Sequence, residues 1–152
     1  MADPCLIRQI VRSDAARVAE LERECFPDPW SEAGIEEVIS LPIGFGLVVE
    51  CDGLVVGYIL TRWVADTAEI LNLAIAESYR RRGLATSLLH KAMAGLADRG
   101  VGEVYLEVRE SNHSAQALYR AHGFQPAGMR RAYYRRPVED ALILRRSLSG
   151  AA

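Results

Sequence analysis

Apolar and polar positions change period several times along the chain, and each change predicts an element. "CLIRQIV" at residues 5–11 reads as a first strand. Ser13 is then placed to cap a helix whose Ala16, Val18, Ala19, Leu21 and Cys25 form an approximate inward stripe. In "FPDPWSEAGIEEVISLP", Ser31 caps a second, short helix, and Trp30 precedes it in the position that can staple against Ile35. Two apolar runs in "FGLVVECDGLVVGYILTRWV" are joined by Asp52-Gly53, a pair that tolerates positive φ, and so predict an antiparallel hairpin. "AEILNLAIA" alternates too little for a half-exposed strand and reads as a central one. From Gly83 the period becomes helical, with Leu84, Leu88, Ala92 and Leu96 four apart and Gly100 as the stop. "EVYLEVRE" is the next strand, which makes a parallel crossover unit. A last helix through "AQALYRAH", capped by Asn112 or Ser111 and ended by Gly123, precedes a closing strand pair, "FQPAGMRRAYYRR" and "VEDALILRRSL". The sum is an α/β domain, a mixed central sheet with helices on both faces, over residues 1–148, with 149–152 as a loose tail.

Composition narrows the function. With 152 residues, 50% hydrophobic and 25% charged, the chain is an ordinary globular domain. A net charge of −2 argues against a general nucleic-acid binder. No apolar run approaches a membrane span and "MADPCLIRQI" lacks the pattern of a signal peptide, so a cytoplasmic protein is expected, without membrane or nucleic-acid partners. Cys5, Cys25 and Cys51 are odd in number and scattered, so reduced thiols are expected. His90, His113 and His122 share no metal-ligand spacing with the cysteines or carboxylates, and no metal is expected. Cys25 and Cys51 have no identifiable histidine partner, which argues against an acyl-carrying thiol.

Three arginines, Arg80, Arg81 and Arg82, stand immediately before Gly83 and the helix it opens. Helix N-terminal amides and arginines together attract phosphate, although a solvated basic turn has the same composition. No G-K-[ST] follows and Gly83 stands alone, which removes Walker and dinucleotide loops. On "YLEVRE", Leu106 and Val108 face one side while Tyr105, Glu107 and Arg109 face the other. Glu107 is as well suited to an ion pair with an arginine as to work as a base. Tyr119 beside Leu118 reads first as a core tyrosine.

Arg80, Gly83 and Ala85 match [QR]-x-x-G-x-[GA], which resembles the pyrophosphate loop of the GCN5-related N-acetyltransferases (GNAT). "CFPDPWSE", "LNLAIAESYRRRGLATSLL", "LEVRESNHSAQALYRAHGF" and "RRAYYRRPVEDALIL" occur in the order and spacing of the RimI-type ribosomal-protein-alanine N-acetyltransferases. The resemblance implies a GNAT fold and acetyl-coenzyme A as co-substrate. Its pyrophosphate would lie on Arg81, Arg82, Gly83, Leu84, Ala85 and Thr86, its pantetheine arm along Leu73, Ala74 and Ile75, with Asn112 also in reach. It further implies Glu107 as general base, Tyr119 as general acid, direct transfer to a protein or peptide N-terminus, that of a small-subunit ribosomal protein first, with lysine or broad peptide acetylation and coenzyme A binding without turnover as the alternatives, and an acceptor groove framed by Trp30, Tyr133 and Tyr134. Asp28, Glu32 and Glu36 are expected to meet basic residues following the acceptor alanine. The segment "YYRRPVEDA" is shorter than in many such chains and has no glycine.

Overall fold

The structure, a computed structural model, describes residues 5–148. The tail expected at 149–152 lies outside these residues. Seven strands form one sheet: β1 (Cys5–Gln9), β2 (Gly44–Cys51), β3 (Leu54–Val64), β4 (Thr67–Ile75), β5 (Glu103–Arg109), β6 (Gln125–Arg135) and β7 (Val138–Ser147). Their spatial order is β1-β2-β3-β4-β5-β7-β6. All neighbours are antiparallel except β4 and β5, which the crossover makes parallel. The helices are α1 (Ala15–Cys25), α2 (Glu32–Ser40), α3 (Leu84–Asp98) and α4 (His113–Ala121).

Short-range chemistry accounts for the element ends. Asp52 and Gly53 close the β2–β3 hairpin at φ of 53° and 80°. Ser31 Oγ accepts the Gly34 N–H at 3.0 Å and starts α2 as expected. Asn112 Oδ1 accepts the Ala115 N–H at 3.2 Å and starts α4. The expected mixed sheet with helices on both faces is observed, and side-chain contacts fix which helix lies where. Tyr58 and its cross-strand partners Val48 and Ala74 face α1, since Tyr58 bonds Glu22. Phe45 and Leu47 point the opposite way, where Arg99 at the end of α3 lies 4.1 Å over the Phe45 ring.

Two expectations fail. Ser13 does not cap α1. It lies in a 3-10 turn, Arg12–Asp14, and the next residue takes over the polar work. The Asp14 carboxylate accepts the Val11 N–H at 2.8 Å and both prongs of Arg8 at 2.9 Å. The helix therefore buries Ala15, Val18, Ala19, Leu21 and Glu22, and Ala16 faces solvent. The cysteines are not all reduced. Cys5 and Cys51 face each other across β1 and β2 with Cα atoms 4.0 Å apart and form a disulfide, while Cys25 is free. Their 46-residue separation carries no spacing signal, so only the strand register reveals the pair.

The Arg8 pair holds the Asp14 carboxyl below the ordinary aspartate value. The unfolded chain thus takes up that proton at higher pH than the native one. The associated stability is present above the unfolded value, near pH 4, and is lost as pH falls through the native one. Asp14→Asn should melt roughly 3–10 °C below the parent at pH 7, the scale of about 1.5–3 kcal/mol for lost charged hydrogen bonds. The gap should shrink in thermal melts taken from pH 5 down to pH 3. A gap unchanged over that range would remove the ionised carboxylate as its cause.

Candidate active site

The site begins where two parallel strands part. The ladder between β4 and β5 ends at Ile70 opposite Leu106. On its other side β4 carries a bulge there: Leu60 pairs with Asn72 but Thr61 pairs with Ile70, so Leu71 is the extra residue. A bulge bends its strand and raises the local twist, which turns the rest of β4 away from β5. Beyond it, Leu73, Ala74 and Ile75 have strand partners only on the β3 side, namely Ile59, Tyr58 and Gly57. Their opposite edge is free to pair with an extended ligand, except that Arg80 Nε already donates to the Ile75 carbonyl at 2.9 Å.

The same β4 leads into the arginine junction. Arg81 and Gly83 adopt φ of 64° and 77°. A Cβ at Gly83 would meet no heavy atom within 4 Å, so the backbone there lies open to a bulky ligand. The first helical bond of α3 runs from the Ser87 N–H to the Gly83 carbonyl at 3.0 Å, which leaves the amides of Leu84, Ala85 and Thr86 without helical acceptors. Arg82 lies 4.8 Å over the Tyr79 ring, and Arg81 and Arg82 are exposed. An unpaired strand edge followed by an open amide cluster with fixed positive charge suits a long ligand with an amide-containing arm and a pyrophosphate.

Glu107 is the first residue of β5 beyond the last β4 pair, and Leu106 beside it points toward the α3 face, so Glu107 faces the α1 side of the opening. Its Oε2 is shielded from solvent and forms an ion pair with Arg130 Nε without hydrogen-bond geometry. Burial, followed by the nearby Glu107 carboxylate, pushes the Tyr133 phenol up. Glu107, Arg130, Trp63, Glu69, Tyr105 and Ile143 line a cavity of about 550 Å³ on this sheet face. Tyr119 is buried on α4 with its ring 5.5 Å from Phe124 in an edge-to-face contact. Burial, reinforced by Tyr134, pushes its hydroxyl up, so it stays protonated across the neutral range.

Across the opening, the segment between α1 and α2 meets the β6–β7 hairpin. Arg109 joins them: it donates to Asp28 at 3.1 Å, to Glu139 at 3.2 Å and to the carbonyls of Pro137 and Arg136 at 3.0 and 3.3 Å. Its guanidinium lies 4.2 Å over the Tyr134 ring, which meets Tyr133 edge-to-face at 5.1 Å. Burial and then the Glu107 charge push the Tyr134 phenol up to about 12. The expected acidic trio is not one free patch. Asp28 is engaged by Arg109 and, at 3.9 Å, by Arg136, and Glu36 is paired with Arg12 at 3.5 Å.

The Acetyltransferase (GNAT) family matches residues 15–124. The chain belongs to that family. It is 37% identical over 150 residues to the N-alpha-acetyltransferase RimI of Mycobacterium tuberculosis (strain ATCC 25618 / H37Rv), with 95% of this chain and 93% of the relative covered. It is 34% identical over 143 residues to the ribosomal protein bS18-alanine N-acetyltransferase of Escherichia coli (strain K12), covering 91% and 94%. The crystal structure of the Escherichia coli ribosomal-protein-alanine N-acetyltransferase superposes with a TM-score of 0.90 at 31% identity, covering 97% of this chain and 96% of that one. The GNAT fold expected from the sequence is therefore present.

Within this GNAT domain the expected residues, apart from the buried Tyr119 and from Asn112, fall into three groups around the opening where β4 and β5 part. Leu73–Ile75 and the Arg81–Thr86 backbone lie along its β4 and α3 side. Glu107 stands at the parting of the strands, Trp30 directly precedes the α2 cap, and Tyr133 and Tyr134 lie on β6, tied to the α1–α2 segment through Arg109, which meets both Tyr134 and Asp28. Asn112 serves as the α4 cap. Sequence reasoning gave no role to Arg109, Arg130 or Glu22. Glu22 carried a usable signal, because it stands four residues after Val18 on the inward stripe of α1, where a carboxylate needs partners. Among the described residues no cluster of three or more His, Cys, Asp or Glu could hold a metal ion. No described helix is long and apolar enough to cross a membrane.

Proposed function

We propose that this chain transfers an acetyl group from acetyl-coenzyme A to the α-amine of a protein N-terminus, with the N-terminal alanine of a small-subunit ribosomal protein as acceptor. The observation that carries this reading is Glu107 at the point where β4 and β5 part, facing the side opposite α3. The RimI-type relatives, similar over nearly their whole length, support the acceptor class. The free edge at Leu73, Ala74 and Ile75 and the backbone of Arg81 to Thr86 would hold acetyl-coenzyme A, with Asn112 at the start of α4. When bound, that molecule supplies the acetyl group as a thioester.

The protein's own residues handle the protons. An α-amine of pKa about 7.7–8.0 arrives mostly as ammonium and loses two protons on the way to the amide: Glu107 takes the first, directly or through water, and passes it to solvent, which frees the lone pair, and it takes the second as the N–C bond forms, which replaces the proton that Tyr119 gives to the leaving group. Arg130, whose side chain is 58% exposed, gives up Glu107 to the incoming cation and turns to solvent. As the C–S bond breaks, the Tyr119 hydroxyl gives its proton to a sulfur whose thiol pKa is about 8.5, taking cysteine as its guide. Trp30, Tyr133 and Tyr134 supply apolar walls for the peptide. We place this activity in the cytoplasm, where the Cys5–Cys51 bond is open to reduction. Besides that bond, β1 is joined to β2 by its ladder and by the Arg8–Glu50 pair at 2.9 Å.

Incubation with acetyl-coenzyme A and a library of peptide N-termini, read by mass spectrometry, tests the proposal. One acetyl group should appear on the α-amine of alanine-initiated peptides. Equal acetylation of a lysine side chain in a peptide with a blocked N-terminus would overturn the α-amine assignment in favour of a lysine acetyltransferase.

A further inference from the structure

Glu22 is the one fully buried carboxylate among the described residues, and the proton transfers above do not use it. Its two oxygens do separate work. Oε1 accepts the main-chain N–H of Trp30 at 2.9 Å. Oε2 accepts the Asn72 side-chain amide at 2.7 Å and the Tyr58 hydroxyl. No arginine or lysine pairs with it among the described residues. Burial pushes the carboxyl up, and the three donors pull it back. A carboxylate placed in a core without a cation costs stability unless donors satisfy it, so a merely apolar position would have packed more simply.

The partners show what the arrangement achieves. Trp30 is the residue just before the α2 cap and ends the segment that carries Asp28 to Arg109. Tyr58 is on β3, and Asn72 follows the Leu71 bulge where β4 turns from β5. We propose that Glu22 is a positioning residue for the acceptor: its carboxylate fixes the α1–α2 segment, one wall of the acceptor mouth, to the β3–β4 framework that faces it. This deepens the acetyl-transfer reading and rests on it. Glu22 touches no reacting atom and acts through Trp30.

Glu22→Met keeps the shape and removes every acceptor, whereas Glu22→Gln can still accept from Trp30 while donating to the Tyr58 hydroxyl, with the Asn72 amide flipped. The KM for an alanine-initiated peptide should rise about tenfold in Glu22→Met, the scale of one charge-assisted hydrogen bond, with the acetyl-coenzyme A KM within about twofold of the parent. Glu22→Gln should recover most of the loss. A peptide KM changed less than about threefold in Glu22→Met, or an acetyl-coenzyme A KM rising in step, overturns the proposal. If Glu22→Met shows no cooperative melt, Asn72→Ala takes its place under the same threefold criterion, since Asn72 is only half-buried. Amide hydrogen exchange at Trp30 reads the anchor without substrate. Rapid exchange there in the parent protein overturns the positioning role. A protected Trp30 in a protein that acetylates no N-terminus instead overturns the acetyl-transfer reading.

Discussion

Glu107→Gln is expected to lower turnover at pH 7 by roughly 10²–10⁴-fold, the usual contribution of a positioned acid–base group, while binding of acetyl-coenzyme A stays unchanged. The substitution separates chemistry from folding because of where its partner stands. Arg130 is 58% exposed, so the cation released from Glu107 returns to water instead of being stranded in the core. Loss of such an outward-facing pair costs about 1 kcal/mol or less. The deficit should depend on pH in a way that identifies the missing step. As pH rises through the α-amine pKa of about 7.7–8.0, more acceptor arrives already neutral and the need for a base declines. The ratio of parent to variant rates should therefore narrow between pH 7 and pH 9.5. A variant within threefold of the parent at pH 7, or a deficit that does not narrow, would take Glu107 out of the proton transfer.

Features governed by neighbouring residues were legible in the sequence. The Asp52-Gly53 hairpin, the Ser31 cap and the Gly83 junction each depend on a few adjacent residues, and each stands where the pattern put it. The alternation in β5 put Glu107 and Arg109 on one face without any knowledge of the sheet. What the pattern missed is long-range. Arg109 meets Asp28 across 81 residues, and Glu22 reaches Tyr58 and Asn72 across 36 and 50. No local period encodes such pairs. The same holds for the Cys5–Cys51 bond and for the Leu71 bulge, which exists only as a mismatch between two strands. Ser13 failed as a cap for a related reason. Asp14 was the better anchor because Arg8, on a strand, was there to meet it.

Position 83 offers the sharpest test of the ligand side, because the protein itself scarcely constrains its side chain. Excess acetyl-coenzyme A, at about 100 times its dissociation constant, should stabilise the native chain by about 2.7 kcal/mol, or roughly 5–10 °C in melting temperature at this size. Gly83→Asp should abolish that shift. The backbone at φ of 77° admits aspartate and asparagine more readily than other non-glycine residues, and a Cβ there meets nothing within 4 Å. The unliganded variant should therefore fold, at a cost of about 1–2 kcal/mol for the left-handed conformation. Gly83→Asn bears the same backbone cost and nearly the same bulk without the charge. Any difference between the two in ligand affinity is then electrostatic. A carboxylate held against a pyrophosphate meets like charge, a penalty of several kcal/mol, so aspartate should weaken binding at least tenfold more than asparagine. Raising the salt concentration should reduce that gap by screening the exposed charge. Equal affinities for the two variants would mean that the Arg81–Thr86 backbone holds no phosphate, whatever the arginines beside it suggest.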